Sequence, residues 1–336
     1  MDVGLLMLGY PGKAREIARR TEAAGFSHLA LGDTQNLGPE TWSQLMLAAG
    51  TSSSIRLGTG VTNTTTRDVA VTASAALALQ HESGGRAFCG VGRGDSALAK
   101  IGMKPATPEA FEADLAHLRA YLAGESTARG AATSRIEWSA SLGLPRVPIE
   151  VAVSGPKVLE IAARHADAFV FCVGADAKTL ERAMAGAHDA VVRAGRDPAA
   201  LRYGAFVNCV VDDDVVRART IARGGVSVFA RFAGWSEGAS ELGDPALRSE
   251  GRSIAQRYEM DRHAQAEGEG ARALDDAHVD RFAIVGPVAH AAARMHELAK
   301  LGLDFVTIAP GSAQMDWETG WKSIERIGNE VIALAR

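Results

Sequence analysis

The feature that most constrains the fold of this 336-residue chain is a repeated alternation of short β-rich runs with longer runs of helical periodicity. Eight short apolar runs begin near residues 3, 28, 55, 87, 149, 168, 203 and 304. Several are continuous, such as FVFCV at residues 169–173, as parallel strands buried on both faces require. Eight units of strand followed by helix predict an α/β fold, a closed (β/α)8 TIM barrel, with a doubly wound open sheet as the main competing architecture.

The alternation is interrupted once, over residues 224–279, which are rich in Gly, Ser, Glu and Arg and contain no clear buried strand. We interpret this stretch as an insertion over one end of the barrel rather than as a second domain. Because closed barrels often exceed about 250 residues as one unit, we expect residues 1–336 to form a single domain.

The charge balance argues against two classes of partner. Lys and Arg total 36 against 40 Asp and Glu, a formal net charge of −4, and no run of basic residues stands out. We therefore expect neither a surface that binds nucleic acid nor a basic patch that binds anionic membranes. The N-terminus opens with Asp2 and only a few apolar residues, unlike a secretory signal. We expect a cytoplasmic protein that acts on a small molecule and forms a homo-oligomer, either a dimer or a tetramer.

The cysteines and histidines do not suggest a metal or a covalent nucleophile. Cys89, Cys172 and Cys209 each lie in an apolar run, which is typical of buried core thiols in a reducing compartment. The nine His are scattered, and the sequence contains no CxxC motif and no Gly-x-Ser-x-Gly elbow. We therefore expect no metal site.

In a parallel barrel, ligands meet the loops that follow the C-terminal ends of the strands. Asp33 follows the second run and is placed to meet a ligand, although Asp is also a common helix cap. After the third run, Gly58 and Gly60 permit close approach of a flat ligand, and Thr62 and Asn63 offer uncharged hydrogen bonds. An ordinary polar loop would explain this third segment equally well.

The loop after the fourth run reads Gly92-Arg93-Gly94-Asp95. The Gly-x-Gly-x-Gly of residues 90–94 is by itself a weak signal for phosphate binding, and it lacks the spacing of the dinucleotide fingerprint. One loop nevertheless offers both a cation, Arg93, and a possible proton donor, Asp95.

The loop after the fifth run predicts an anion site. Ser154-Gly155-Pro156-Lys157 opens a helix, which leaves free backbone N–H groups, and Lys157 adds a positive charge. A plain capped helix is the alternative. Gly174 follows the sixth run, where a glycine turn before an acidic helix cap explains the sequence as well as a binding role does.

Taken together and in this order, the loops resemble the luciferase-like monooxygenase superfamily of flavin and deazaflavin barrels. The resemblance covers nearly the whole chain. Within the superfamily, the sequence is most similar to the branch that contains methylenetetrahydromethanopterin reductase. It is carried by EAAGFSHLALGD, IRLGTGVTNTTTRDVAVTASA, SGGRAFCGVGRGDSALA, VAVSGPKVLEIAARHADAFVFCVGAD, FAIVGP and LAKLGLDFVTI.

The resemblance implies a barrel that holds an isoalloxazine or deazaflavin ring at the strand ends, backed by a non-prolyl cis peptide at Gly60–Val61. It also implies that Asp33 lies near the ring, that Asp95 is an active-site acid and that residues 154–157 cradle a phosphate. With the loop patterns, the candidate catalytic residues are Asp95 and Asp33, and the candidate cofactor-binding residues are Asp33, Gly60, Val61, Thr62, Asn63, Arg93, Gly94, Ser154, Gly155, Lys157 and Gly174.

Two departures from the family narrow the expected chemistry. Thr34 follows Asp33 where the related sugar-phosphate and alcohol dehydrogenases have a histidine base, which disfavours oxidation of an alcohol. The first strand also lacks the acid of the pterin reductases. We expect a coenzyme F420-dependent oxidoreductase that transfers a hydride between C5 of the deazaflavin and a small organic substrate. An FMN-dependent monooxygenase that uses reduced flavin and O2 is the alternative, and a non-catalytic flavin-binding barrel is the third possibility.

The expected choice of F420 over FMN rests on two further observations. Asp33 matches the deazaflavin branch, and Arg93, Lys100 and Lys104 cluster after the fourth run, where they could receive the acidic tail of F420. The alternative, a monooxygenase, needs a closed, dry pocket, and the insertion at residues 224–279 could act as its lid.

Overall fold

The structure is a computed structural model that describes residues 1–141, 143–234 and 245–335. Within these residues, none of the helices has the length and apolar character that crossing a bilayer would take.

The strands are β1 (Asp2–Leu8), β2 (His28–Gly32), β3 (Arg56–Thr59), β4 (Thr62–Asn63), β5 (Ala87–Gly92), β6 (Thr127–Arg129), β7 (Ala132–Ser134), β8 (Ile149–Val153), β9 (Ala168–Phe171), β10 (Arg202–Val211), β11 (Ile284–Gly286) and β12 (Phe305–Ala309).

The α-helices surround these strands. They are α1 (Ala14–Ala23), α2 (Thr41–Ala49), α3 (Val69–Glu82), α4 (Ser96–Ala99), α5 (Pro108–Leu122), α6 (Pro156–His165), α7 (Ala177–Arg193), α8 (Val215–Ala230), α9 (Pro245–Arg257), α10 (Glu269–Arg272), α11 (Asp276–Phe282), α12 (Val288–Lys300), α13 (Trp317–Arg326) and α14 (Ile332–Ala335).

Eight parallel strands close into a barrel, which confirms the predicted (β/α)8 fold. Around the barrel the order is β1, β2, β3, β5, β8, β9, β10, β12 and back to β1. The barrel closes where β1 pairs with β12, which places Asp2 opposite Phe305. Two short strands extend the sheet at its carboxyl edge, since β4 pairs with β5 and β11 pairs with the last three residues of β10.

The amino-terminal end of the barrel is plugged by side chains, which leaves the other end for a ligand. The buried His28 ring lies edge-on to Phe88 and Phe305, and its Nε2 is 2.8 Å from Thr307 Oγ1. Gly4 makes room for this ring, because a Cβ there would lie 2.0 Å from the His28 Nε2. Burial lowers the pKa of His28 to about 3, so the plug is uncharged at neutral pH.

The predicted insertion is present, but it begins later than residue 224. Residues 224–230 belong to α8, a helix that the sequence pattern missed because two adjacent glycines lower helix propensity. Both glycines are needed for close packing. A Cβ on Gly224 would lie 2.3 Å from the Ala264 carbonyl oxygen, and one on Gly225 would lie 2.6 Å from the Gly311 carbonyl oxygen.

Beyond α8, the described part of the insertion packs onto the barrel through its own apolar cluster. Ile254 of α9 and Leu274 join Ala222 and Val226 of α8, and β10 contributes Val210. The described part of the insertion therefore packs mainly against one barrel helix and one barrel strand.

The three cysteines are buried, as expected. Cys89, Cys172 and Cys209 are free thiols, and burial raises the pKa of each to about 12. Such thiols are un-ionised and unreactive at neutral pH. Among the described residues, no group of three or more His, Cys, Asp or Glu side chains is arranged to hold a metal ion.

Candidate active site

One cavity of about 1520 Å³ opens at the carboxyl ends of the barrel strands. Cavities for drug-sized ligands measure about 300–1,000 Å³, so this one has room for a large cofactor and a substrate together. All the candidate site residues from the sequence line it except Gly174: these are Asp33, Gly60, Val61, Thr62, Asn63, Arg93, Gly94, Asp95, Ser154, Gly155 and Lys157.

The peptide bond between Gly60 and Val61 is cis, as the resemblance implied. It lies between β3 and β4, and both residues line the cavity. The backbone is closely packed here: a Cβ on Gly60 would lie 2.7 Å from Ala30 Cβ and 2.7 Å from Leu6 Cδ1, and one on Gly90 would lie 2.0 Å from the Thr59 carbonyl oxygen. Glycine at these positions lets the strands approach and shape the floor of the cavity.

Asp33 is buried and held by one strong contact. Thr62 Oγ1 donates a hydrogen bond of 2.6 Å to Asp33 Oδ2, which joins the ends of β2 and β4. The next residue, Thr34, lies with its Oγ1 3.2 Å from Ser96 Oγ, and Gln35 Nε2 donates to the Ala97 carbonyl oxygen at 2.7 Å. Thr34 and Gln35 therefore tie the β2 loop to α4.

Asn63 and Gly94 shape the cavity through the backbone. The Asn63 side-chain oxygen accepts hydrogen bonds from the backbone N–H groups of Thr65 and Thr66, at 3.0 and 2.8 Å, which fixes the turn after β4. Gly94 has φ +96°, and a Cβ there would lie 2.3 Å from Leu98 Cδ1. This left-handed conformation favours glycine on both steric and backbone grounds.

Arg93 and Asp95 lie two positions apart in the same loop but contact different partners. Arg93 Nε donates a 2.6 Å hydrogen bond to the Ala106 carbonyl oxygen, which leaves the guanidinium at the cavity wall. Asp95 Oδ2 pairs instead with the guanidinium of Arg231, which follows α8 and whose side chain is only 3% exposed. Burial raises the pKa of Asp95, and the Arg231 charge opposes that shift.

The turn after β8 presents an uncapped helix start to the cavity. Gly155 is the residue before α6 and Pro156 begins the helix, and no side chain of the described residues caps it. Lys157 and Arg93 both line the cavity, and both cations help to lower the pKa of Glu109, after the hydrogen bonds from its own backbone and from Thr107. Free N–H groups at a helix start, in a cavity that two cations also line, form an anion-binding arrangement.

Three sequence-based expectations do not correspond to the cavity. Gly174 has φ +80°, and a Cβ there would lie 2.7 Å from the Phe282 ring, so it is a packing position outside the cavity lining. Lys100 faces Asp261 of the insertion, with Nζ 3.7 Å from Oδ1, and neither Lys100 nor Lys104 lines the cavity. Of the predicted basic cluster, Arg93 alone is at the cavity wall.

Sequence reasoning missed two groups of lining residues. The insertion supplies Phe232, His263 and Ala264, and the segment after β12 supplies apolar and aromatic residues that include Met315, Trp317 and Trp321. The second group belongs to the loop and helix that follow the eighth barrel strand, but neither group carries a local motif that indicates a binding role. Only the fold of the chain over the barrel mouth brings these residues to the site.

Comparison with known proteins gives a consistent result. The family model for luciferase-like monooxygenases matches residues 6–304. A curated 5,10-methylenetetrahydromethanopterin reductase from Methanolobus tindarius is 28% identical over 335 residues, which cover 95% of each chain. A phthiodiolone/phenolphthiodiolone dimycocerosates ketoreductase from Mycobacterium tuberculosis strain H37Rv is 34% identical over 192 residues, 53% of this chain and 50% of that protein.

Solved structures match over the whole chain. The coenzyme F420-dependent tetrahydromethanopterin reductase of Methanopyrus kandleri superposes with a TM-score of 0.77 at 22% identity, covering 100% of this chain and 99% of that one. An F420-dependent secondary alcohol dehydrogenase in complex with an F420–acetone adduct superposes with a TM-score of 0.74 at 16% identity, with coverage of 100% and 99%. These likenesses confirm the barrel fold.

Proposed function

Because the chain belongs to the luciferase-like monooxygenase family, we propose that it is a coenzyme F420-dependent oxidoreductase that transfers a hydride between deazaflavin C5 and a small organic substrate. The observation that carries the proposal is that one cavity at the carboxyl ends of the strands is lined by Asp33, by Asp95 and by the uncapped start of α6. The curated reductase that matches 95% of the chain supports the same choice of chemistry.

The residues present fit such a cofactor. The cavity is larger than about 1,000 Å³, so a tricyclic ring with a ribityl phosphate leaves space for a substrate. The residues that would hold the phosphate are Ser154, Gly155 and Lys157, through backbone N–H groups and one charge. Val61 would back the ring, and Arg93 would meet the acidic tail. When bound, F420 supplies or accepts a hydride at C5.

The chain's own residues would bind and orient the cofactor and the substrate, and they would supply a proton to the reduced substrate. The Asp33–Thr62 hydrogen bond fixes one wall of the cavity, and the insertion covers its mouth with Phe232 and His263. In the reductive direction, the substrate atom next to the carbon that gains the hydride needs a proton. Asp95 lines the cavity and has a raised pKa, so we assign it the role of proton donor.

Equilibrium binding tests this function directly. We expect purified apoprotein to bind F420 with a Kd at or below about 1 μM, which corresponds to about −8.2 kcal/mol, and to bind FMN more weakly. Fluorescence titration of each cofactor against the same preparation measures both affinities. FMN binding in that range without detectable F420 binding would overturn the proposal in favour of an FMN-dependent monooxygenase. Tight binding of either cofactor without turnover would favour a flavin-carrying barrel.

Replacing Lys157 by alanine removes the charge from the proposed phosphate site. We expect the affinity for F420 to fall by about 1–2 kcal/mol, as for loss of a charge-assisted contact, and the loss to shrink at high salt. The same titration in low salt measures this change. Lys178 is at the start of α7 and does not line the cavity, so Lys178→Ala is the matched control. Unchanged F420 affinity in the Lys157 variant would remove this residue from the site.

We further propose that residues 1–336 work as one domain and that the protein acts in the cytoplasm as a homo-oligomer. The three buried free thiols suit a reducing compartment. Sedimentation velocity of the purified protein distinguishes a dimer from a tetramer.

A further inference from the structure

We propose that His263 of the insertion contacts the substrate and donates a hydrogen bond from Nε2–H to a carbonyl oxygen or a similar acceptor atom. The inference deepens the proposed reduction, on which it rests, and it narrows the substrate class to compounds with an acceptor atom at the reacting group. Nothing in the local sequence marks His263, because it lies in an irregular segment between α9 and α10.

The first observation is that His263 lines the cavity and that one ring nitrogen is already engaged. Its Nδ1 lies 2.8 Å from the Tyr258 hydroxyl, and Nε2 has no hydrogen-bond partner among the described residues. The ring therefore has a single nitrogen available for a ligand.

The second observation fixes which nitrogen carries the hydrogen. The Ala264 N–H donates to Tyr258 Oη at 3.2 Å, so one lone pair of that oxygen is occupied. Arg231 lies over the Tyr258 ring, with Cζ 4.0 Å from the centroid, and its side chain also hydrogen-bonds the Tyr258 hydroxyl, so the second lone pair of Oη is occupied as well. The hydroxyl hydrogen then points to Nδ1, and a neutral imidazole carries its own hydrogen on Nε2. Burial, Arg231 and Lys100 lower the pKa of His263 to about 3, which keeps the ring neutral.

The third observation is a strained backbone at the next residue. Ala264 has φ +58°, the one non-glycine residue with positive φ in the described parts of the chain. It is held from two sides, since Ala313 N–H donates to its carbonyl oxygen at 2.8 Å and Gly224 of α8 packs against that same oxygen. A left-handed alanine is maintained only where its surroundings enforce it, and such residues cluster at functional sites.

These contacts connect the two sides of the cavity mouth. Asp95 pairs with Arg231, Arg231 lies over Tyr258, and Tyr258 orients His263. A neutral N–H fixed in this way can stabilise the negative charge that develops on a carbonyl oxygen as the neighbouring carbon gains a hydride. Tyr258 acts as a positioning residue, and His263 is the residue that contacts the substrate.

The tautomer is measured without any cofactor. We expect the ¹⁵N spectrum of the apoprotein at neutral pH to show His263 as the neutral Nε2–H tautomer, identified by its loss in His263→Leu. In Tyr258→Phe we expect the two tautomers to exchange, because Nδ1 loses its donor. An Nδ1–H tautomer in the wild type, or a ring protonated at neutral pH, would overturn the proposal.

Ligand contact is measured with two probes of the same shape. Cyclohexanone should move the Nε2–H resonance to higher frequency, whereas methylenecyclohexane, which has a CH2 group in place of the oxygen, should not. Equal responses to the two probes, or none up to the solubility limit of cyclohexanone, would contradict the proposal. Because F420 is absent from both experiments, failure of F420 binding in the titration is a separate result that bears only on the proposed function.

Kinetics add a third readout. With reduced F420 and cyclohexanone, we expect His263→Leu to lower kcat/KM by about tenfold, the size of one lost hydrogen bond. His263→Gln, which keeps an N–H donor, should recover part of the loss. The control is His117→Gln, since His117 pairs with Thr127 of the outer hairpin at 2.8 Å and does not line the cavity. Equal rates in the Leu and Gln variants would contradict a donor role.

Discussion

Replacing Asp95 by asparagine is expected to lower the turnover number by about 10²-fold or more, the usual yield of general acid catalysis. Asparagine keeps the size of the side chain and a carbonyl oxygen for Arg231, but it has no carboxyl proton to give. The affinity for F420 should stay close to that of the wild type. Stopped-flow oxidation of reduced F420 by a ketone such as cyclohexanone, with cofactor binding measured in parallel, separates the two effects.

The control for this variant is Asp261→Asn. Asp261 faces Lys100 at 3.7 Å across the boundary between the insertion and the β5 loop, but it is fully exposed and does not line the cavity. We expect its turnover to match the wild type. If Asp95→Asn instead lost F420 affinity to the same extent as turnover, Asp95 would be a structural residue whose role is to hold Arg231.

Replacing Gly90 by alanine is expected to give the largest loss of stability among the single substitutions considered for this site. The added Cβ would lie 2.0 Å from the Thr59 carbonyl oxygen and 3.3 Å from Val61 Cγ1. A backbone oxygen in a central strand cannot move aside as a flexible side chain can, so the cost should reach about 3 kcal/mol, the upper part of the usual range for overpacking. Thermal unfolding should show a fall in Tm of about 4 °C, given the unfolding entropy of a chain of 336 residues.

The same variant should also weaken F420 binding, because Gly90 packs directly beneath the residues on either side of the cis peptide. Gly50→Ala is the matched control, since Gly50 is exposed with φ −72° and a Cβ there would meet only two oxygens at 4.0 Å. We expect that variant to be neutral or stabilising by up to about 1 kcal/mol. A Gly90 variant as stable as the Gly50 variant would contradict the tight strand packing below the cavity.

Much of the site was predictable because a parallel barrel gathers the carboxyl ends of its strands at one face. Residues that follow separate strands, such as Asp33, Asn63, Asp95 and Ser154, therefore meet in space although they are far apart in sequence. Their order along the chain was enough to place them at one cavity. Gly174, which was grouped with them, does not line the cavity, because a glycine after a strand can serve a turn against Phe282 as well as a ligand.

The sequence by itself determined the eight-stranded barrel, since buried parallel strands and amphipathic helices are local patterns with fixed periods. It also determined the loops that carry Asp33, Asp95 and the helix start at residues 154–157. Only the tertiary structure decided that Asp95 pairs with Arg231 and that His263 reaches the cavity. Those contacts join residues more than a hundred positions apart, and they depend on how α8 packs through Gly224 and Gly225 against the segments around Ala264 and Gly311. Periodicity carries no information about such close backbone approaches, so the sequence pattern placed an insertion over one end of the barrel but could not say which of its residues reach the cavity.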